Sequence, residues 1–354
     1  MINAEAKKPL LGMTLPELRQ VVADMGMPTF AAAQIARWLY VARVTDINAM
    51  TNLSKAARQR LAEYYNVGRE TWKTRTVSAD GTVKYLFATP GGLDIEAVYI
   101  PDRDRATLCV SSQAGCKMKC AFCMTGRQGF HGNLSAAQII NQVFSIENSE
   151  RLTNIVFMGM GEPLDNFDAV SRAVEILTAP WGLAWSPRRI TVSTIGKMPE
   201  MQRFIETTQV NMALSLHHPF EEERAHLMPA QKAWPLKSII TALKQYNWHK
   251  QRRLSVEYIM WRGINDTPRH ADALARMLRG TGTRVNLIRF HAIPDSTLIP
   301  CTTKSMEDFR DRLNDAGITA TIRASRGEDI MAACGMLAGL HNNENNPNTP
   351  TTQQ

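Results

Sequence analysis

The sequence predicts an α/β fold in which an open, partial (β/α)6 barrel follows a small N-terminal helical accessory domain. From residue 106 onward, strand-like segments alternate with helical patterns six times, at residues 106–112, 153–158, 189–194, 210–216, 254–260 and 284–290. Such alternation is typical of a parallel sheet with right-handed crossovers. We therefore divide the chain into a helical domain with a hairpin over 1–90, a barrel over 91–340 and a disordered tail over 341–354.

Helix start and stop signals define the N-terminal domain. Thr14 and Glu17 form a capping box, and Gly26 stands where the helix that they begin should end. A second helix is predicted over residues 32–40 and a third from Ser54 onward. A small basic helical domain of this kind either grips RNA by its shape and phosphates or serves only as scaffolding.

Two strands, over residues 82–87 and 93–100, lead into the barrel, the first of them through a hairpin. The helices between the barrel strands are predicted to start near Ser135, Asn166, Met198, Leu236 and Pro268. Ser305 and Asp308 are spaced as a capping box, so a further helix is predicted to begin there, followed by a strand over 318–324. These elements complete the barrel and its C-terminal extension.

Length and composition are typical of a globular protein of the cytoplasm. The chain of 354 residues suffices for one large domain and a smaller one, and no apolar run suggests a membrane span. Six cysteines are too few for a disulfide scaffold, and the first residues lack the apolar core of a signal peptide. A formal charge of +8 favours a polyanionic partner, although a basic solvated surface would give the same charge. We therefore expect a cytoplasmic protein that does not bind membranes.

Cys116, Cys120 and Cys123 form a C-x3-C-x2-C loop after the first barrel strand. Structural zinc sites use four ligands, whereas three thiolates suit an iron–sulfur cluster that keeps one iron open for a chelating substrate. This spacing is the signature of radical S-adenosylmethionine (radical-SAM) enzymes, so the sequence predicts one [4Fe-4S] cluster and S-adenosyl-L-methionine (SAM). The alternative, three incidental buried cysteines, fits the spacing poorly.

Polar residues end the barrel strands at the edge where parallel sheets bind ligands. Gly161 and Glu162 end the second strand, where glycine allows a ligand to approach the backbone and the carboxylate can receive an ammonium group. The ends of the third, fourth and sixth strands carry Ser193, Ser215, His217 and His291. Each of these can instead cap a helix or serve a structural role, but together they favour one bound ligand.

Three further cysteines lie outside the loop. Cys109 lies within the first barrel strand, and Cys334 lies far downstream beside Gly335. Buried cysteines usually act as small apolar residues, and this is the prediction for Cys301. Cys334 differs because its glycine-containing segment can reach over the mouth of the barrel.

A series of ordered segments resembles the RlmN/Cfr family of radical-SAM RNA adenine methyltransferases. Besides the cysteine loop, the matching segments lie at residues 109–112, 157–164, 193–194, 215–217, 326–330 and 332–335. The resemblance implies SAM contacts at Gly161, Glu162, Ser193, Ser215, Leu216, His217 and His291. Many relatives carry asparagine at the position of His291, and either side chain offers a hydrogen bond.

The resemblance also implies a reaction that uses two SAM molecules per turnover. The first methylates Cys334, and the second yields a radical that removes a hydrogen atom from the S-methyl group. The carbon radical adds to adenine and joins enzyme and RNA covalently. Cys109 then attacks the Cys334 sulfur and releases the methylated base through a transient disulfide, which requires the two cysteines to meet. Glu96 matches the family's proton acceptor, although by itself it would be taken for an exposed strand residue.

The family's substrates are an adenosine in the peptidyl-transferase region of 23S rRNA and the adenosine beside some tRNA anticodons, each exposed from its fold to react. A flavodoxin- or ferredoxin-like protein would supply one electron, and we expect a monomer. Methylation at adenine C2 is the leading interpretation, because Gly161–Leu164 and Arg326–Gly327 resemble the C2 branch. The alternatives are C8 methylation that confers antibiotic resistance, a non-catalytic metal-containing RNA-binding protein, and a radical-SAM enzyme with another substrate.

Overall fold

A computed structural model of the chain describes residues 7–90, 92–248 and 252–338, so the predicted tail over 341–354 lies outside the described residues. The helices are α1 Leu15–Asp24, α2 Ala31–Ala36, α3 Lys55–Tyr64, α4 Met124–Arg127, α5 Ala136–Ser145, α6 Phe167–Thr178, α7 Glu200–Thr207, α8 Glu221–Leu227, α9 Leu236–Leu243, α10 Pro268–Leu278 and α11 Thr303–Asp315. Within the described ranges, none of the helices combines the length and the apolar composition that a bilayer crossing requires.

The strands are short, and most of them belong to one sheet. They are β1 Lys8–Pro9, β2 Tyr65–Asn66, β3 Thr74–Val77, β4 Val83–Phe87, β5 Ile95–Asp102, β6 Arg105–Cys109, β7 Gln113–Gly115, β8 Phe130–Asn133, β9 Asn154–Phe157, β10 Ile190–Thr194, β11 Asn211–Ser215, β12 Leu254–Met260, β13 Arg284–Arg289 and β14 Ala320–Ile322. The strands predicted for the barrel are thus present, each within a few residues of its predicted bounds.

The N-terminal unit contains the three predicted helices. The Glu17 carboxylate accepts the Thr14 N–H at 2.8 Å at the start of α1, and Gly26 follows the helix with φ 61°. α2 continues as a π-helical stretch over Arg37–Val41 and so covers the predicted segment. Ser54 caps α3, since its Oγ accepts an N–H of the first turn at 3.2 Å.

One sheet carries the barrel, in the strand order β14-β13-β12-β11-β10-β9-β6-β5-β4-β3. From β6 through β9 to β14 each strand pairs parallel with the next, which matches the six predicted strand–helix units and adds β14, whereas β6 is antiparallel to β5 on its other side. Within the described residues the sheet is open, with β14 and β3 as its edge strands. The predicted partial α/β barrel is therefore confirmed.

The hairpin that precedes the barrel is part of the barrel sheet. β3 and β4 pair antiparallel, and β4 pairs in turn with β5, which pairs with β6. A division at residue 90 therefore falls between two adjacent strands of one sheet. The sequence pattern grouped the hairpin with the helices because a turn signal does not say which further strand will lie beside it.

Several local features differ from the prediction. α11 is capped by Thr302, whose Oγ1 accepts the Ser305 N–H at 3.1 Å, so Ser305 lies inside the first turn and the predicted capping box is wrong. The sequence pattern also missed α4, α8, the β1–β2 pair and the β7–β8 hairpin. These elements are shorter than the windows over which hydrophobic periodicity can be detected.

The sheet positions the carboxyl ends of its parallel strands at one edge. Apolar side chains of the central strands, such as Leu108, Ile155 and Val192, are fully buried against the helices and fix the strands in register. β6 leads through β7 into the cysteine loop, and the chain after β14 returns to the same region. The edge that parallel sheets use for ligands is thus built from segments distant in sequence.

Candidate active site

The cysteine loop is framed by the β7–β8 hairpin. Cys116 donates its N–H to the carbonyl of Gly129 at 2.8 Å, which joins the start of the loop to the residue just before β8. Lys119 is left-handed with φ 53°, and the chain reverses there before Cys120. The side chains of Cys116 and Cys120 are buried, and that of Cys123 is half-buried.

The three thiols are spread more widely than the ligands of one metal ion. Among the described residues, a single group of three ligating side chains gathers within 4.8 Å, and it does not contain these cysteines. Thiolates around one zinc ion lie about 3.8 Å apart, given Zn–S bonds of about 2.3 Å in a tetrahedron. The arrangement therefore suits the larger iron–sulfur cluster better than zinc.

Burial makes isolated thiolates unfavourable in this loop. It raises the pKa of Cys116 to about 12 and that of Cys120 well above its usual range, and the charges of neighbouring cysteines add to the effect. The buried Arg224 guanidinium opposes the shift at Cys120. Three ionised thiols in this place need bound metal ions to balance their charge, so the donor set fits a cluster.

One cavity brings together the cysteine loop and most of the predicted cofactor residues. This cysteine-loop cavity has a volume of about 150 Å³. Its lining includes the three loop cysteines and Gly161, Glu162, Ser193, Ser215 and His217. Two more residues, Cys334 and Glu257, line it as well. Strand ends that are distant in sequence thus converge on one space, as a single bound ligand requires.

Glu162 is a buried carboxylate with hydrogen bonds on both oxygens. Oε1 accepts from the Thr194 hydroxyl at 2.7 Å and from the Leu164 N–H at 3.2 Å, and Oε2 accepts from the Ile195 N–H at 3.0 Å. Burial raises its pKa to about 7, although these bonds favour the ionised form. A cationic group in the cavity would therefore find a fixed carboxylate to pair with.

Gly161→Ala is expected to destabilise the fold by about 1–3 kcal/mol. Gly161 has φ 97°, and an added Cβ would lie 2.5 Å from the Cβ of Gln113, so conformation and space both oppose a side chain. Thermal unfolding measures the loss. Gly132→Ala is the matched control, because no atom lies within 4 Å of its Cβ position. Equal stability of the two variants would contradict the expectation.

His217 presents an N–H to the cavity. Its Nδ1 accepts the Ile259 N–H at 3.1 Å, so the ring proton lies on Nε2. Burial, assisted by the charge of Arg224, lowers the pKa of His217 to about 3 and keeps the ring neutral. The hydroxyl oxygens of Ser193 and Ser215 lie 3.3 Å apart in the same cavity. These donors can bind carboxylate and ribose oxygens.

Arg224 orders the strand ends behind the cavity. Its fully buried guanidinium donates to the carbonyls of Leu216 at 2.9 Å, Ser215 at 3.1 Å and Ile195 at 3.2 Å. Leu216 lines neither cavity; its side chain is buried and its N–H donates to the Glu257 carbonyl at 3.2 Å, so a SAM contact at Leu216 stays a prediction. Sequence reasoning missed Arg224, because an arginine in an acidic helix gives no sign of burial.

A second cavity, of about 310 Å³, holds the other two predicted cysteines. Cys109 and Cys334 line this Cys109 cavity together with His291 and Arg323. Cys334 and Glu257 line both cavities, so the two spaces meet at these side chains. Burial raises the pKa of Cys109 well above its usual range, and the charge of Cys334 adds to the shift. Both thiols are free and face one space.

The segment that carries Cys334 is anchored on two sides. Residues 326–338, here the C-terminal segment, contact the β3–β4 turn, where Asp329 accepts a hydrogen bond from the Ser78 hydroxyl. On the other side, the Thr125 hydroxyl donates to a carbonyl of the segment at 2.7 Å. The hairpin and the cysteine loop therefore hold Cys334 between the two cavities.

Glu96 and His291 both contact the chain after β14. Glu96 lines neither cavity; its carboxylate lies 3.0 Å from the Lys84 ammonium and accepts the Ala338 N–H at 2.8 Å. His291 lines the Cys109 cavity only, and its Nδ1 lies 3.0 Å from Glu328. The roles of proton acceptor and SAM contact therefore stay predictions for these two residues.

Glu257 is a site residue that the sequence pattern missed. It lies within β12, whose remaining residues are mostly apolar, and it is buried where the two cavities meet. The available signal was the carboxylate itself, because an ionisable group in a buried strand needs partners or a function. The pattern of residues 254–260 predicted a strand, but the carboxylate within it was not considered as a site residue.

His218, Glu223 and His270 form the group gathered within 4.8 Å. Nδ1 of His218 accepts the Phe220 N–H at 3.2 Å, which leaves the ring proton on Nε2, and Nε2 lies 3.1 Å from the Glu223 carboxylate and 3.3 Å from the Ile264 carbonyl. A nitrogen that carries a proton cannot ligate a metal ion. We therefore interpret the group as a hydrogen-bonded cluster.

Two family models match the chain, the ribosomal RNA large subunit methyltransferase N-terminal domain over residues 8–67 and the radical SAM superfamily over residues 110–275. The chain is 56% identical to a probable dual-specificity RNA methyltransferase RlmN of Porphyromonas gingivalis, over 95% of each chain. A protein of the same description from Bacteroides fragilis is 54% identical, over 97% of this chain and 99% of its own. The crystal structure of a radical SAM methyltransferase from Sphaerobacter thermophilus superposes with a TM-score of 0.87 at 40% identity, over 93% of this chain and 99% of that one.

Proposed function

Because the chain belongs to the RlmN family of radical SAM RNA methyltransferases, we propose that it methylates C2 of adenosine in 23S rRNA and in tRNA beside the anticodon. The observation that carries this proposal is the position of Cys334, which lines the cysteine-loop cavity and the Cys109 cavity at once. A sulfur in that place can receive a methyl group from one side and pass a one-carbon unit to a base on the other.

The cysteine-loop cavity is the proposed cofactor site. The three loop cysteines would hold one [4Fe-4S] cluster, and SAM would bind beside it, with two molecules used per turnover. When bound and reduced by a flavodoxin- or ferredoxin-like partner, the cluster supplies one electron to SAM and so yields a 5′-deoxyadenosyl radical. We propose that Glu162 receives the ammonium group of SAM and that Ser193, Ser215 and His217 bind its carboxylate and ribose, since all four residues line this cavity.

Cys334 is proposed to carry the one-carbon unit and Cys109 to release the product. The Cys334 sulfur accepts a methyl group, and the carbon of that group bonds to adenine C2 after it loses a hydrogen atom. Cys109 then bonds to the Cys334 sulfur, which breaks the link between that sulfur and the new methyl carbon. Glu96, which binds the end of the C-terminal segment, is the proposed proton acceptor.

Basic groups around the Cys109 cavity support RNA as the substrate. Arg105, Arg323 and Arg326 line this cavity and can pair with phosphates next to the target nucleotide. Its volume of about 310 Å³ falls within the range of small-ligand pockets, so an exposed base can enter. The N-terminal unit would grip the RNA by shape, and we propose that a monomer acts in the cytoplasm, where ribosomal RNA and tRNA are found.

The proposal is tested by mass spectrometry of digested rRNA and tRNA from cells with and without this gene. Loss of 2-methyladenosine on deletion is the expected result and reports target class and regiochemistry together. Loss of 8-methyladenosine with unchanged 2-methyladenosine would assign the protein to the C8 branch. If neither base changes, the assignment of these RNA substrates is contradicted.

A further inference from the structure

Glu257 has no role in the function proposed above, although it stands where the two cavities meet. It is buried on β12 and lines both cavities. Its Oε1 accepts hydrogen bonds from the Ser255 hydroxyl at 2.9 Å and from the Asn286 amide at 2.8 Å. Among the described residues, none donates a hydrogen bond to Oε2. One oxygen is therefore fixed, while the other is available to a group in the cavities.

The Cys334 thiol faces the same space and needs a base. The Cys334 side chain is exposed at the wall of the cavities, yet the protein packed around its sulfur and, after it, the negative charge of Glu257 raise its pKa above the usual range. A thiol with a raised pKa is protonated at neutral pH, and a protonated thiol is a poor nucleophile. Methylation of this sulfur therefore requires a group that takes the proton as the new bond forms.

The other nearby carboxylates are less suited to that task. Glu162 lines only the cysteine-loop cavity, and three hydrogen bonds occupy its two oxygens. Asp102 lines the Cys109 cavity, but its side chain is 61% exposed and lies 3.5 Å from Arg326. Glu96 lies outside both cavities and pairs with Lys84. Glu257 is the carboxylate that shares both cavities with Cys334.

We propose that Glu257 is the general base that takes the Cys334 proton when SAM methylates this sulfur, an inference that rests on the proposed function. The S–H bond breaks and its proton passes to Oε2 of Glu257. A bond forms between the Cys334 sulfur and the methyl carbon. The bond between that carbon and the sulfonium of SAM breaks, and its electron pair stays on S-adenosylhomocysteine. The sulfonium and carboxylate charges disappear together, so the step is balanced.

The test uses Glu257→Gln in the full-length protein with its cluster, at saturating SAM and without RNA or reductant. Intact-mass spectrometry follows the gain of one methyl group, and peptide mapping assigns it to Cys334. We expect methylation at least ~10²-fold slower than in the wild type, since a general base contributes that much. Glu206→Gln is the matched control, because Glu206 lies on α7, accepts a hydrogen bond from the Tyr246 hydroxyl and lines neither cavity; it should be methylated at the wild-type rate.

A second readout separates a base from a merely structural residue. Iodoacetamide alkylates Cys334 without any need for SAM, and water can take the proton in this reaction. Because removal of the Glu257 charge makes the thiolate easier to form, Glu257→Gln should be alkylated as fast as the wild type or faster. Slower methylation together with slower alkylation would indicate a damaged site and overturn the proposal.

The remaining outcomes distinguish this inference from the proposed function. If the wild type gains a methyl group on Cys334 and Glu257→Gln gains it at the same rate, Glu257 is not the base and the proposed function stands. If the wild type itself gains no methyl group on Cys334, both the proposed function and the Glu257 assignment fail.

Discussion

Alanine at Cys116, Cys120 or Cys123 is expected to abolish the formation of 5′-deoxyadenosine. Each thiol is placed in or beside the cysteine-loop cavity, and the loop offers three ligands to a cluster that already has one iron without a protein ligand. Loss of one of the three thiolates leaves a second iron without a protein ligand, and two thiolates are too few to retain the cluster. Because no electron then reaches SAM, we expect a complete loss of the product rather than a partial one.

The measurement is made on anaerobically reconstituted protein. Iron content, the thiolate–iron absorbance near ~400 nm and 5′-deoxyadenosine are followed together. Cys301→Ala is the matched control, because Cys301 is buried at 3% exposure and lines neither cavity. This control should keep the cluster and the product. A loop variant that retained both would show that the cysteine is not a ligand.

Cys109→Ala is expected to trap a covalent enzyme–RNA adduct, whereas Cys334→Ala should form neither adduct nor product. Cys334 carries the one-carbon unit in the proposed reaction, so its loss prevents the first bond to the base. Cys109 faces the same cavity and supplies the sulfur that breaks the link between Cys334 and the base. Without it the reaction stops after the protein has bonded to the RNA.

A denaturing gel with labelled RNA detects the adduct, and nuclease digestion followed by mass spectrometry detects the methylated base. We expect nearly all of the modified RNA to remain attached to Cys109→Ala and none to attach to Cys334→Ala. Cys301→Ala should turn over as the wild type does. Normal turnover by Cys109→Ala would contradict the proposed release step.

Local sequence signals predicted most of the secondary structure. The capping box of α5 is an example, since the Ser135 N–H bonds to Gln138 Oε1 at 2.9 Å and Ser135 Oγ accepts the Gln138 N–H at 3.2 Å. The barrel strands were found because strand-like segments alternate with helical patterns along the chain. In both cases the decisive interactions involve residues within a few positions of one another.

The candidate site was predictable where it depends on strand ends. Ser215 and His217 share one face of their strand end and line the cysteine-loop cavity, as the parallel-sheet rule predicts. Leu216 lies between them, and alternation directs its side chain into the core instead. The resemblance included Leu216 with its neighbours because a matching segment does not show which of its residues face a cavity.

The sequence by itself determined the order of strands and helices, the cysteine loop and the polar strand ends, because short-range propensities and spacing encode them. Only the tertiary structure decided that the β3–β4 hairpin joins the barrel sheet, that Cys109 and Cys334 face one cavity, and that Glu257 lies between two cavities. The physical reason is that side-chain alternation fixes which face a residue takes. The neighbours that it meets on that face depend on strand pairing and on the path of a segment distant in sequence.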